Sequence, residues 1–215
     1  MSVAVKICGL TSAEAVQAAV AGGARFTGFV FYPPSPRSLG IAQAAALVAS
    51  VPPGITRVGV FVDPDDALLE QVVAKMRLDL LQLHGGETPD RLAAMKRRFG
   101  VKLMKAIKVA SERDLQAAKD FFDVADWLMF DAKPPKEMSG ALPGGNALAF
   151  DWELLRPKQW PLPWMLSGGL TGENLVQATA ISRAQFVDVS SGVEKKPGEK
   201  DPAKIRAFLA RAAAL

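Results

Sequence analysis

The only cysteine in the chain, Cys8, follows Lys6 by two residues and stands directly before Gly9, in Met1-Ser2-Val3-Ala4-Val5-Lys6-Ile7-Cys8-Gly9-Leu10. In an extended strand, alternation puts Lys6 and Cys8 on one face and Val5 and Ile7 on the other. A neighbouring ammonium favours the thiolate and lowers a thiol from its usual value of about 8.5. A thiolate at a strand end suits proton abstraction or nucleophilic attack; a small hydrophobe in a core is the competing reading. With one cysteine there is no disulfide and no resolving thiol for a redox cycle. Gly9 is expected to let the chain turn away from the sulfur.

Other groups with chemical potential also end apolar runs. Asp131 closes Trp127-Leu128-Met129-Phe130, and the Ala132-Lys133-Pro134-Pro135 that follows starts no helix for it to cap. A partly desolvated carboxyl at that place has a raised pKa and can hold a proton. His84 follows Leu81-Gln82-Leu83. As the only histidine it cannot belong to a multi-histidine metal site, so it either contacts a substrate or satisfies a loop. Arg37 sits on the stiff stretch Pro33-Pro34-Ser35-Pro36, where a fixed guanidinium suits a carboxylate and an ordinary surface arginine is the alternative. Ser167-Gly168-Gly169-Leu170 and Ser190-Ser191-Gly192-Val193 are two small-residue turns whose exposed backbone N–H groups suit a phosphate.

The elements that must position these groups follow from hydrophobic period. Strands are expected at Val3–Cys8, Phe26–Phe31, Arg57–Val62, Leu78–Leu83, Lys102–Ile107, Asp126–Phe130, Trp164–Ser167 and Gln185–Ser190. Helical segments are expected from Thr11, where Thr-Ser-Ala-Glu reads as a capping box, to Gly22-Gly23, and over 41–50, 65–77, 88–99, 111–122, 171–181 and 201–214. Residues 133–150 read as a long Pro/Gly-rich loop, followed by a short helix near Asp151–Leu155. Eight strands alternating with mostly helical connections imply an α/β fold: one domain over 1–215, a parallel (β/α)8 TIM barrel. The chain lacks the Gly-x-Gly-x-x-Gly and Walker loops of a doubly wound nucleotide-binding sheet. In a barrel the C-terminal strand ends carry function, and those after strands seven and eight frequently bind phosphate. Strands one and eight are then neighbours, so Lys6 and Asp188 are expected to face inward and pair beneath the site.

With 215 residues, 49% hydrophobic and 22% charged, the chain can bury a sizeable core. Its net charge of +4 raises the question of nucleic acid. The charge is scattered, however, and the runs Lys96-Arg97-Arg98 and Lys195-Lys196 lack interleaved aromatics, so a nucleic-acid partner is not expected. Lys6 interrupts the first apolar run, which excludes a signal-like segment, and no run reaches the roughly 18 residues of a membrane span. The expectation is a cytoplasmic protein without membrane contact.

The motifs together resemble the phosphoribosylanthranilate isomerase family of tryptophan biosynthesis. They are KICGLT at 6–11, FYPPSPR at 31–37, VGVFV at 58–62, LQLHG at 81–85, the Asp131 strand end, FDW at 150–152, LSGGL at 166–170 and VDVSSGVEKKPGEKD at 187–201. The resemblance spans nearly the whole chain in unbroken order. It implies an Amadori rearrangement with no metal and no cofactor. N-(5-phosphoribosyl)anthranilate, an aminoaldose phosphate, becomes 1-(2-carboxyphenylamino)-1-deoxyribulose 5-phosphate. It further implies Cys8 as general base and Asp131 as general acid. Arg37 would hold the anthranilate carboxylate, His84 would contact substrate, and Gly168, Gly169, Ser190, Ser191 and Gly192 would hold the phosphate, in a monomer or homodimer. Lys6 would pull Cys8 down toward the thiolate, with Asp188 tempering and holding Lys6. The run Gly144-Gly145-Asn146-Ala147-Leu148-Ala149 departs from the family's more glycine-rich pattern in a segment that reads as a mobile cover. A pentose-phosphate epimerase would commonly need more histidines, a redox thiol protein a second cysteine, and an inactive binding protein no Cys8–Asp131 pair.

Overall fold

The computed structural model describes residues 3–135, 144–156 and 159–215. Eight parallel strands close on one another in sequence order: β1 (Ala4–Cys8), β2 (Phe26–Phe31), β3 (Thr56–Phe61), β4 (Leu80–Leu83), β5 (Lys102–Val109), β6 (Trp127–Ala132), β7 (Trp164–Leu166) and β8 (Phe186–Val189). Closure is made by β1 on β8, with Lys6 directly opposite Asp188. Around them, among the described residues, lie helices α1 (Ala13–Ala21), α2 (Ile41–Ala49), α3 (Asp66–Lys75), α4 (Pro89–Phe99), α5 (Glu112–Gln116), α6 (Leu175–Ser182) and α7 (Pro202–Ala213), three short 3₁₀ turns, and a final hairpin of β9 (Glu194–Lys196) and β10 (Glu199–Lys200).

The strands alternate as a two-faced barrel wall requires. Ile7, Phe29, Leu81, Leu103, Phe130 and Val187 share one continuous core with the buried faces of the helices. Val30, Val58, Val60, Leu80, Met104 and Met129 form a second, inner cluster with Cys8. At the N-terminal end this inner space is stopped by three aromatics: Trp127 meets Phe26 at 5.4 Å and Phe186 at 4.8 Å between ring centroids, both edge-to-face. Cys8, His84 and Asp131 lie toward the other end, at or just past the C-terminal ends of β1, β4 and β6.

All eight expected strands are present, and several boundaries differ. The α1 cap is Ser12, whose hydroxyl accepts from Ala15 N–H, rather than Thr11. The Thr11 hydroxyl instead donates to the Gly198 carbonyl at 3.0 Å, tying the first strand-helix turn to the last hairpin. The sixth strand continues through Asp131 to Ala132. Helix α5 stops after five residues and continues as a 3₁₀ turn over Ala117–Phe121, while α6 begins only at Leu175. The short helix near Asp151 is a 3₁₀ turn, Trp152–Leu155. Of the expected 133–150 loop, residues 133–135 and 144–150 are irregular, and 136–143 lie outside the described residues. The β9–β10 hairpin, between the expected eighth strand and last helix, is an additional element.

Candidate active site

At the C-terminal end of the barrel, one cleft is lined by Cys8, Arg37, His84, Asp131, Gly168, Gly169, Ser190 and Ser191 among others. Two residues named from sequence do not line it. Lys6, fully buried, lies beneath, and Gly192 packs so closely that a Cβ there would stand 2.1 Å from the Leu170 carbonyl oxygen.

Cys8 reaches the cleft because Gly9, at φ 75°, turns the chain away from it, and the N–H groups of Gly9 and Leu10 both donate to the Gly28 carbonyl at 3.0 Å. Gly28 faces the sulfur from β2. A Cβ there would lie 3.1 Å from Sγ and 3.0 Å from Lys6 Nζ, so glycine leaves the room in which the thiol and ammonium sit. Lys6 Nζ donates to Asp188 Oδ1 at 2.8 Å, and the Ser167 hydroxyl donates to Asp188 Oδ2 at 3.1 Å. Burial alone would lower Lys6, but Asp188 and then Cys8 outweigh it and hold the ammonium up at about 12. The same geometry reverses the expectation for the thiol. Burial and then the Asp188 carboxylate push Cys8 above its ordinary value, and the pull of Lys6 is too small to compensate. Lys6 is matched by a carboxylate at hydrogen-bond distance, so the thiol experiences a pair rather than a free cation.

Across the barrel Asp131, 3% exposed, accepts from Ala132 N–H on Oδ1 at 3.0 Å, and its Oδ2 lies 3.0 Å from His84 Nε2. His84 Nδ1 in turn lies 2.9 Å from the Gln82 amide nitrogen. Gln82, His84 and Leu80 occupy one face of β4 and its extension. The spacing of two in Leu81-Gln82-Leu83-His84 was the available sign that Gln82 belongs to the site.

Arg37 is buried, and its fork is already engaged: Nε and one terminal nitrogen donate to the two oxygens of Glu194 at 2.8 and 2.9 Å. That terminal nitrogen also reaches the Gly145 carbonyl at 3.4 Å. Glu194 is shared with Lys200, which donates to it at 2.5 Å and to the Ser190 carbonyl and hydroxyl at 3.0 and 3.2 Å. Burial would raise Glu194, yet Arg37 and Lys200 hold it below the usual carboxylate range; burial lowers Lys200 despite Glu194. Glu194 and Lys200 were not singled out from sequence. Their side chains come from the β9–β10 hairpin, and nothing in a run of lysines and glutamates marks two of them as buried. Above the cleft, Gly144 abuts His84 and Asp131, and Gly145, Asn146 and Leu148 complete the lining. Among the described residues, no group of three or more His, Cys, Asp or Glu side chains is placed to hold a metal ion.

A closed (β/α)8 barrel whose polar side chains gather in a cleft at the C-terminal strand ends has the architecture of a TIM-barrel enzyme. Residues 5–211 match the family described as N-(5'phosphoribosyl)anthranilate (PRA) isomerase. The chain is 56% identical over 214 residues to the N-(5'-phosphoribosyl)anthranilate isomerase of Paracoccus denitrificans, covering 100% of this chain and 99% of that protein. Among solved structures, phosphoribosyl anthranilate isomerase from Thermotoga maritima superposes with a TM-score of 0.88 at 36% identity, covering 99% of this chain and 100% of that one. A second isomerase structure, in complex with reduced 1-(o-carboxyphenylamino)-1-deoxyribulose 5-phosphate, gives 0.83 at 34% identity over 99% of this chain and 100% of that one. The chain belongs to the PRA isomerase family and is an isomerase of tryptophan biosynthesis.

Proposed function

We propose that Cys8 and Asp131 carry the isomerisation of N-(5'-phosphoribosyl)anthranilate as general base and general acid. The observation that supports this reading is that the two groups line one cleft from β1 and β6, strands on different sides of the barrel. Asp131 delivers a proton to the ring oxygen as the furanose opens, leaving a protonated imine at C1. Cys8 removes the C2 proton, and the resulting enolamine tautomerises to the ketone. Each positioned transfer contributes on the order of 10²–10⁴-fold. The raised thiol means that the resting site holds its proton on sulfur.

With two Arg37 nitrogens engaged by Glu194, the remaining terminal nitrogen, beside Gly145, is the atom left for the anthranilate carboxylate. Gly168, Gly169, Ser190 and Ser191 offer the phosphate their backbone N–H groups, with Gly192 shaping the turn below. Residues 1–215 act as one barrel domain in the cytoplasm. Large apolar side chains exposed among the described residues are limited to Val176 and Leu215, which supports a monomer over a homodimer, and light scattering after gel filtration reads the difference. Described basic residues such as Lys96 and Arg98 are paired with Asp126, Asp66 and Glu70, which supports the absence of a nucleic-acid partner.

The test follows the loss of substrate fluorescence with EDTA present. Cys8→Ala and Asp131→Ala are expected to lower kcat by orders of magnitude with circular dichroism unchanged; near-normal turnover in either variant refutes the assignment. Loss of wild-type activity on chelation would instead point to a metal enzyme.

A further inference from the structure

We propose that Gln82 is a positioning residue that fixes His84 as the tautomer carrying its proton on Nε2, so that an N–H is aimed at Asp131 throughout turnover. This rests on the reading of Asp131 as the acid. Gln82 is 1% exposed, on the inner face of β4. Its amide nitrogen lies 2.9 Å from His84 Nδ1 and 3.3 Å from Met129 Sδ, so its two N–H groups have one acceptor each. Turned end for end, the amide would set its oxygen against a thioether and strand two buried donors, a costly exchange. Its Oε1 has no hydrogen-bond partner among the described residues, so the orientation is chosen by the donors. An amide nitrogen only donates, hence Nδ1 accepts and the ring proton sits on Nε2, 3.0 Å from Asp131 Oδ2.

The consequence lies in the step that creates charge. When Asp131 passes its proton to the sugar oxygen, the new carboxylate meets two donors already in place, His84 Nε2–H and Ala132 N–H. With the other tautomer, the lone pair of Nε2 would face the developing anion. Among the described residues, the other charged groups nearby, Asp63 and Glu87, are turned to the backbone of the loop behind His84, where they accept from Gly86 and Gly85 N–H, and Glu87 is also paired with Lys105.

The chain has a single histidine, so one pair of ring nitrogens in a ¹⁵N spectrum reports on it without assignment. The wild-type ring is expected to show Nε2 protonated and Nδ1 bare, and the reverse overturns the proposal with no variant needed. In Gln82→Met the ring should become a mixture of tautomers, and in Gln82→Glu, whose carboxylate only accepts, the proton should appear on Nδ1. Both should lose on the order of 10²-fold in kcat with KM little changed. Retention of the pure Nε2–H form in Gln82→Met refutes the role. Asp131→Ala separates the two readings: persistence of the Nε2–H form there shows that Gln82 sets the tautomer, whatever the turnover of that variant, and its loss shows that Asp131 does.

Discussion

Replacing Lys6 by methionine tests how the buried pair governs both stability and the thiol. Lys6 is wholly buried and its ammonium meets Asp188 at 2.8 Å, so the variant keeps a similar volume and, among the described residues, leaves the Asp188 carboxylate with only the Ser167 hydroxyl. Removing one member of a buried ion pair costs about 3–5 kcal/mol, because the other charge is left without compensation. In a domain of this size each kcal/mol shifts Tm by roughly 2–4 °C, so the expected fall is about 6–20 °C in a circular-dichroism melt. That is a large share of a typical total stability of about 5–15 kcal/mol, and the variant should still fold at 25 °C. Adding Asp188→Leu should recover most of the loss, since an apolar replacement of both partners removes the lone charge. The only cysteine supplies a second readout, the pH dependence of alkylation. Asp188 pushes the thiol up and Lys6 pulls it down, so Asp188→Asn should lower the thiol midpoint and Lys6→Met should raise it. A drop in Tm below about 2 °C, or midpoints moving the same way in both variants, would refute the reasoning.

Gly28→Ala should leave the fold largely intact but lower kcat, because its Cβ would press on Cys8 Sγ at 3.1 Å and Lys6 Nζ at 3.0 Å; unchanged kinetics would show that the sulfur has slack. Glu194→Gln removes the anion shared by Arg37 and Lys200 and should raise KM and lower Tm together, with a change in neither counting against the network. Lys6 is held at about 12 against an ordinary 10.5, so its contribution is complete below pH 10.5 and lost as pH rises through 12. The wild-type melt should fall across that window more steeply than that of the Lys6→Met/Asp188→Leu protein. Asp114 gives the opposite sign. Burial opposes its ionisation, but Lys133 and the Ala110 and Ser111 N–H groups hold it at about 2, so Asp114→Asn should flatten the loss of stability between pH 3.8 and 2.

What could be read from the residues alone was whatever local period controls. The eight strands were legible because each sets a helix-facing row such as Val5 and Ile7 against an inward row such as Lys6 and Cys8. Adjacency of the first and last strands then placed Lys6 opposite Asp188. The cap of α1 was misplaced by one residue because Thr11 and Ser12 offer the same hydroxyl, and only the distant Gly198 carbonyl distinguishes them. Glu194 and Lys200 were illegible for a related reason. A buried charge is defined by its partner, and Arg37 is 157 residues from Glu194 in the chain. The direction of the Cys8 shift was also beyond the sequence, since it depends on how burial and two opposed charges balance at particular distances.

The Lys6–Asp188 pair joins residues 182 positions apart. During synthesis, the ammonium of Lys6 emerges with the first strand and has no buried counter-charge until nearly nine-tenths of the chain has been made. An incomplete barrel would have to desolvate that ammonium unpaired, so the first strand is favoured to stay hydrated until the last one arrives. Arg37 waits in the same way for Glu194. Seam closure, charge neutralisation and assembly of the acid–base site then coincide, so recovery of activity during refolding should track formation of the β1–β8 seam.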